Sequence, residues 1–168
     1  MSKIDPLYHP KRGLDDGARS VVSGRRIAIV ATENPDGSPH IVPTWFLFED
    51  ERFLVSAQST TRKARNVASR PRARLLVEHS LGWVSAWGPA RLVFGAGVEV
   101  VSDRIIERYL TEEGRKHFKS ASGIPDDCLI EITPQRWMSW DMMEGFRRMR
   151  GAGHSDDEIL GWFLPLEH

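Results

Sequence analysis

The sequence predicts a mainly β chain, six to seven antiparallel strands forming a closed or split barrel with flanking helices. Three observations carry that prediction. Short runs of β-branched and aromatic residues recur, as in Ile27-Ala28-Ile29-Val30-Ala31-Thr32 and Phe53-Leu54-Val55. The turns between the first three runs are short and polar, which marks antiparallel neighbours, because parallel strands need long crossovers. Gly88-Pro89 interrupts an otherwise continuous strand pattern, where a barrel needs a bulge or bend. Closure also removes exposed sheet edges, which are an aggregation hazard.

Each element follows in order. The stretch from Met1 to about Gly13 is polar and proline-punctuated and is expected to wrap the surface. Leu14 to Val22 is weakly amphipathic and suits a short helix. Arg26 to Thr32 is the first strand, ended by Asn34-Pro35-Asp36-Gly37, where proline presets φ and glycine tolerates positive φ. Pro39 to Phe48 resumes as a strand, Glu49-Asp50-Glu51 turns the chain, and Arg52 to Ser56 is the third strand. Thr60 or Thr61 then caps a helix reaching about Ser69, halted at Arg70-Pro71 because proline disfavours helix in the residue before it. Ala73 to His79 and Trp83 to Phe94 are strands, and Val98 to Val101 continues the β pattern. Ser102-Asp103 is expected to cap a helix with Ile105, Ile106, Tyr109 and Leu110 on one face. Cys128 to Trp140 is the last strong strand signal. Ser155-x-x-Glu158 reads as a capping box for a short helix carrying Ile159, Leu160, Trp162 and Phe163.

Composition narrows the function classes. A chain of 168 residues with 40% apolar and 27% charged residues suits one domain, expected here to span residues 1–165. Leu166-Glu167-His168 resembles the stub of an expression-vector histidine tag and stands outside the functional argument. With 23 basic and 23 acidic residues the net charge is zero, so no global field attracts nucleic acid or an anionic membrane. The single cysteine, Cys128, cannot form an internal disulfide, and no apolar run is long enough for a membrane span. The start lacks a secretory apolar region. A soluble cytoplasmic protein is the expectation.

The window from Ser56 to Arg74 carries the chemistry. A strand runs into Gln58-Ser59-Thr60-Thr61, and the helix that follows opens with Arg62-Lys63. A helix N-terminus presents unpaired N–H groups and a partial positive charge, and hydroxyls and cations there add contacts suited to a phosphate. Cations in a first turn disfavour the helix itself, which makes better sense with an anion between them. The same residues also suit a solvated basic helix face, and on these features alone both readings stand. Six basic residues between Arg62 and Arg74 could instead track a nucleic-acid backbone. No aromatic platform alternates with them, Arg72 and Arg74 fall on a strand, and the neutral overall charge speaks against that reading.

The ordered set Asp36-Gly37-Ser38-Pro39-His40, Thr61-Arg62-Lys63-x-x-Asn66, Arg70-Pro71-x-Ala73 and Gly88 within a strand resembles the pyridoxamine 5′-phosphate oxidase-like superfamily of FMN-binding split barrels. The resemblance covers about Gly24 to Trp140 and is closest to small members that bind FMN or the deazaflavin coenzyme F-420. It implies that Arg62 and Lys63 hold the cofactor phosphate, with Thr61 as the preceding hydroxyl. It further implies that Ser56, Ala57 and Gln58 lie along the ring system, and that Arg65 and Asn66 line the cofactor tail. It implies a homodimer with the cofactor at the subunit interface, to which Trp83, Trp87 or Trp140 would come from the neighbouring chain. Oxidoreductase activity on a small molecule is the implied function, with a non-catalytic FMN or haem carrier as the alternative. The sequence departs from the true oxidases in one strand. Ile41-Val42-Pro43-Thr44-Trp45-Phe46 replaces their arginine-bearing run, so one phosphate contact is missing. Their substrate-phosphate residues are not recognisable towards the C-terminus, and pyridoxamine phosphate is not the expected substrate.

The remaining reactive residues have plain structural readings. His40 and His79 stand singly in strands, and the histidines lack the paired spacing of a zinc site, so no metal is expected. A lone histidine still leaves haem conceivable. Cys128 opens an apolar strand and reads as a small core residue. Trp45, Trp83, Trp87, Trp137 and Trp140 lie in strand signals, where large aromatics fill a barrel core or an interface, and Trp45, Trp83 or Trp87 is expected to line the pocket in which a substrate stacks on the cofactor. No side chain stands out as a catalytic acid or base. No paired carboxylates, phosphate loop or nucleophile elbow argues for hydrolysis or nucleotide-triphosphate chemistry.

Overall fold

A computed structural model describes residues 10–79, 81–121 and 125–162 of the chain. The surface wrap expected for the first nine residues, the packing of Phe163 and the tag-like end lie outside the described residues. The elements are β1 (Lys11–Arg12), α1 (Asp16–Ser23), β2 (Ala28–Glu33), β3 (Pro39–Thr44), β4 (Leu47–Glu49), β5 (Arg52–Ala57) and α2 (Arg62–Ser69). They continue with β6 (Arg72–His79), β7 (Gly82–Val93), α3 (Gly97–Tyr109), α4 (Glu112–Ala121), β8 (Cys128–Ile132), β9 (Arg136–Asp141), α5 (Met142–Gly151) and α6 (Asp156–Leu160). The strands join in the order β3-β2-β6-β7-β8-β5-β4, with β9 beside β7 and β1 beside β9. Every pair is antiparallel. The result is a curled half-barrel with flanking helices, the predicted fold class.

The long strand β7 organises the sheet. Gly82 to Trp87 pair with β9, whereas Ala90 to Val93 pair with β8, so β7 changes partner at Gly88-Pro89. The bend expected there is this exchange. The turn Thr133-Pro134-Gln135 passes directly over Gly88, held by Thr133 N donating to Pro89 O and Gln135 N donating to Trp87 O, both 2.9 Å.

The same geometry divides two runs that the sequence presents as single strands. Pro39 to Phe48 breaks at Trp45-Phe46, because Thr44 pairs with Ala28 while Leu47 pairs with Leu54. The chain leaves one end of the sheet path and joins the other, which curls the barrel. Cys128 to Trp140 breaks at the turn over Gly88 for the reason given above. Val98 to Val101 is not a strand. It lies in α3, where Val98, Ser102 and Ile105 share the buried face at helical spacing. The polar Ser102 hides that period from a hydrophobicity reading, and it sits inside the helix rather than at its cap. Helix α4, unannounced by an apolar stripe, opens with Glu112 and Glu113. At α6 the N-cap half of the expected capping box forms, with Ser155 Oγ accepting from Glu158 N at 3.2 Å, while the Glu158 carboxylate lies 3.3 Å from His154 Nδ1.

Alternate residues of β2, β5, β6 and β7 turn inward and bury Val30, Phe53, Val55, Leu75 and Val77 completely. Helices α1 and α2 close the barrel with Val22, Ala64 and Val67. Phe46, Phe48, Phe53 and Trp137 form an aromatic cluster with ring centroids 4.8–5.8 Å apart. Each large side chain buried this way contributes about 1.5–3 kcal/mol.

Candidate functional site

The segment Ser56 to Asn66 stands where β5 ends and α2 begins. Strand alternation splits the first three candidates. Ala57 is buried in the core, while Ser56 lies on the opposite face of β5, its Oγ donating to Ser102 Oγ of α3 at 2.7 Å. Gln58 O accepts from Thr61 N at 3.0 Å and from Thr61 Oγ1 at 2.7 Å, closing a tight turn into the helix. Thr61 is the N-cap by backbone position, but its hydroxyl makes no cap bond to the helix. Arg62 and Arg65 are exposed, Lys63 is half-buried, and the N–H groups of the first turn have no acceptor within the helix. Asn66 is buried, its Nδ2 donating to Thr32 Oγ1 and Asn34 Oδ1, both at 3.1 Å. That pair of bonds ties α2 to the β2–β3 hairpin.

Beside Ser56 lies a cavity of about 400 Å³, within the range of small-molecule sites. Trp45, Ile105, Ile106 and Phe118 supply its apolar wall, and Ser56, Ser102 and Asp126 its polar groups. Trp45 is fixed from behind by Tyr109, stacked at 5.1 Å between centroids and 6° between planes. Tyr109 is itself anchored, its hydroxyl donating to Arg26 O at 2.6 Å and accepting from Phe46 N at 3.3 Å. One wall of the cavity is therefore a rigid indole.

A second chain segment meets α2 here. Because Ala57 pairs with Cys128, the two residues before β8 fall beside Gln58 and Ser59. Asp127 accepts from Ser59 N and Ser59 Oγ, each at 2.6 Å, and these bonds hold its carboxyl below the usual carboxylate range. Asp126 lines the cavity. Burial pushes its carboxyl upward, against the lowering influence of Lys63. Burial likewise pushes the Lys63 ammonium below the usual lysine range, and Asp126 opposes that. Cys128 is fully buried, with Sγ donating to Ala57 O at 3.2 Å, and burial followed by the Asp127 charge pushes its thiol up to about 11. It is a core residue without thiolate character.

The structure thus brings together Ser56, Gln58, Thr61, Arg62 and Lys63, places Trp45 in the cavity wall as expected, with neither Trp83 nor Trp87 among the lining residues, and adds Ser102, Tyr109, Asp126 and Asp127. Trp87 is elsewhere within its own chain. It points outward from β7 under the Arg136 guanidinium, 5.0 Å from its ring centroid. The row Pro43, Ile29, Leu76, Ser85, Met138 and the row Ile41, Ala31, Arg74, Trp87, Arg136 run across five strands on that outward face. Ile29, Ile41 and Met138 are 39%, 58% and 41% exposed there. Asp126 and Asp127 had no local signal, because their place depends on the pairing of strands some 70 residues apart; only the strand signal at Cys128 hinted at it. Among the described residues no three His, Cys, Asp or Glu side chains gather as a metal site would require, and no helix is long and apolar enough to cross a membrane.

Comparison with known proteins gives a consistent picture. The sequence profile described as pyridoxamine 5′-phosphate oxidase matches residues 14–141. A conserved hypothetical protein from Mycobacterium tuberculosis shares the fold at 23% identity and a TM-score of 0.65, over 86% of this chain and 92% of that one. A structure titled F420 reductase is similar at 20% identity and a TM-score of 0.61, over 73% of this chain and 97% of the other. The heme storage protein HutZ from Vibrio cholerae is similar at 17% identity and a TM-score of 0.57, over 73% and 90%.

Proposed function

Because the chain belongs to the pyridoxamine 5′-phosphate oxidase family, we propose that it is a flavin- or deazaflavin-dependent oxidoreductase acting on a small molecule other than pyridoxamine phosphate. The observation that carries this reading is the cavity beside Ser56, which has one rigid indole wall and is lined by Asp126, a carboxylate whose charge interacts with Lys63 at the start of α2. A planar ring fits such a space. Trp45 and Ile105 offer apolar faces, and the hydroxyls of Ser56 and Ser102 offer hydrogen bonds to a ring edge. Arg62, Lys63 and the free N–H groups of the first turn would hold a phosphate at the other end. Thr61 is the weaker donor, since its one hydroxyl proton already goes to Gln58 O. Arg65, one turn along α2, would meet the tail. Asn66 would act by holding α2 against the hairpin.

When bound, the cofactor supplies the hydride or electron pair. The chain's own part is to orient the ring against Trp45, neutralise the phosphate and exclude water with α3 and α4. A homodimer completes the proposal. The outward sheet face around Ile29, Ile41 and Met138 is the surface a second copy would cover, carrying its Trp83, Trp87 and Trp140 towards its neighbour's cofactor. The compartment is the cytoplasm.

A non-catalytic FMN or haem carrier is the second reading, favoured by the fold likeness to the heme storage protein. Against haem, no histidine is among the described residues that line the cavity. Titration of the protein with FMN, F-420 and haem, in wild type and Lys63→Ala, separates the readings. Saturable binding of one flavin-type cofactor, weakened at least about tenfold (~1.4 kcal/mol) by the substitution, supports the site, and turnover with NAD(P)H or a reduced deazaflavin supports the enzyme. Haem binding alone, or no binding, overturns the flavin reading.

A further inference from the structure

We propose that Asp126 is a specificity determinant of this site, making it favour a ligand linked through a phosphodiester over one ending in a phosphate monoester. The inference rests on the flavin-type reading above and names the chemistry of the cofactor tail. Its basis is that the first turn of α2 meets its counter-charges before any ligand arrives. Asp126 lines the same cavity as Ser56 and neighbours Lys63, each moving the other's proton affinity in the direction an opposite charge does. Asp127 adds a second negative charge at Ser59, and it also removes both Ser59 donors from any anion.

A phosphate monoester carries about −1.5 to −2 charges at neutral pH, as phosphorylated side chains do. A diester carries one. A lysine already facing Asp126 gains less from a dianion than an unmatched one would, and the half-buried Lys63 and Asp126 feel each other more strongly than they would in bulk water. The absence of an arginine in Ile41 to Phe46 acts in the same direction, since nothing there adds back positive charge. A diester linkage needs only Lys63 and the backbone donors. It leaves room for Asp126 to accept a hydrogen bond from a hydroxyl of the tail.

The test compares three probes sharing one ring: riboflavin, FMN, and the methyl ester of FMN, whose phosphate is a diester. Dissociation constants are measured at pH 8 for wild type and Asp126→Asn, with circular dichroism confirming the fold. The expected result is that wild type binds the methyl ester at least about fivefold more tightly than FMN. In Asp126→Asn that ratio falls to about one through tighter FMN binding, with riboflavin unchanged. A ligand-free measurement accompanies it: acylation of Lys63 by an active ester is expected to quicken several-fold in Asp126→Asn, since its ammonium loses the neighbouring carboxylate. An unchanged FMN-to-diester ratio, or an unchanged acylation rate, overturns this inference and leaves the flavin reading standing. If none of the three flavins binds either protein, the flavin reading falls and the inference with it.

Discussion

Replacing Gly88 by alanine is expected to destabilise the fold by about 2 kcal/mol, and the figure follows from one crossing. A Cβ at this position would stand 2.0 Å from Thr133 O, 2.9 Å from Gln135 N and 3.0 Å from Pro134 Cα. All three are backbone atoms, so no rotamer change relieves the clash, and the β8–β9 turn has to move. Two bonds hold that turn, Thr133 N to Pro89 O and Gln135 N to Trp87 O. A net hydrogen bond is worth about 0.5–1.5 kcal/mol, and at the upper end of that range, which suits two bonds lost together at one crossing, the pair amounts to about 3 kcal/mol. Set against their weakening is the smaller chain entropy of alanine in the unfolded state, which favours the variant by about 0.4–1 kcal/mol. The balance is about 2 kcal/mol, or roughly 4–8 °C in Tm for a chain of this size. Urea unfolding followed by tryptophan emission, together with a thermal melt, measures it. Gly37→Ala is the control, with φ at +83° and open space around it, so it should lose only the left-handed backbone penalty of about 1–2 kcal/mol. A Gly88→Ala protein melting at or above wild type would refute the crossing, and with it the exchange of partners along β7.

Two further outcomes follow from buried polar groups. Asn66→Ala removes both donors that tie α2 to Thr32 and Asn34 and leaves the buried Thr32 hydroxyl short of a partner. A loss of about 1–3 kcal/mol in urea unfolding is expected, and wild-type stability would place Asn66 outside that tie. Cys128 should resist a thiol reagent at pH 8 until the chain unfolds, because it is buried and its thiol is pushed up to about 11. Its folded value lies above the unfolded one. The contribution is therefore complete below about pH 8.5 and fades as the pH climbs towards 11, so Cys128→Ala should flatten the alkaline limb of the stability profile. Fast labelling of the folded protein would contradict the burial.

The sequence by itself determined what local chemistry determines. Alternating β-branched runs made the strands, Asn34-Pro35-Asp36-Gly37 made a turn, and Thr61-Arg62-Lys63 placed paired cations at a helix start, because strand period, turn dihedrals and capping act over a few residues. Even the bend at Gly88-Pro89 was legible, since only a bulge or crossing tolerates that pair in a long strand. The tertiary structure alone decided which strands pair. Phe46 leaves its strand because its flanks join opposite ends of the sheet path. Val98 and Ile105 form one helical face because the barrel exterior covers them, overriding the β-propensity of the run. Asp126 and Asp127 stand at α2 because β8 lies against β5. Such contacts bring together residues far apart in the chain, and their free energy depends on a surface that exists only once the sheet has closed. For that reason the cationic half of the candidate site, and Trp45 as a pocket residue, could be read from the residues in order, whereas its carboxylates and the Tyr109 ring that fixes the indole emerged only with the fold.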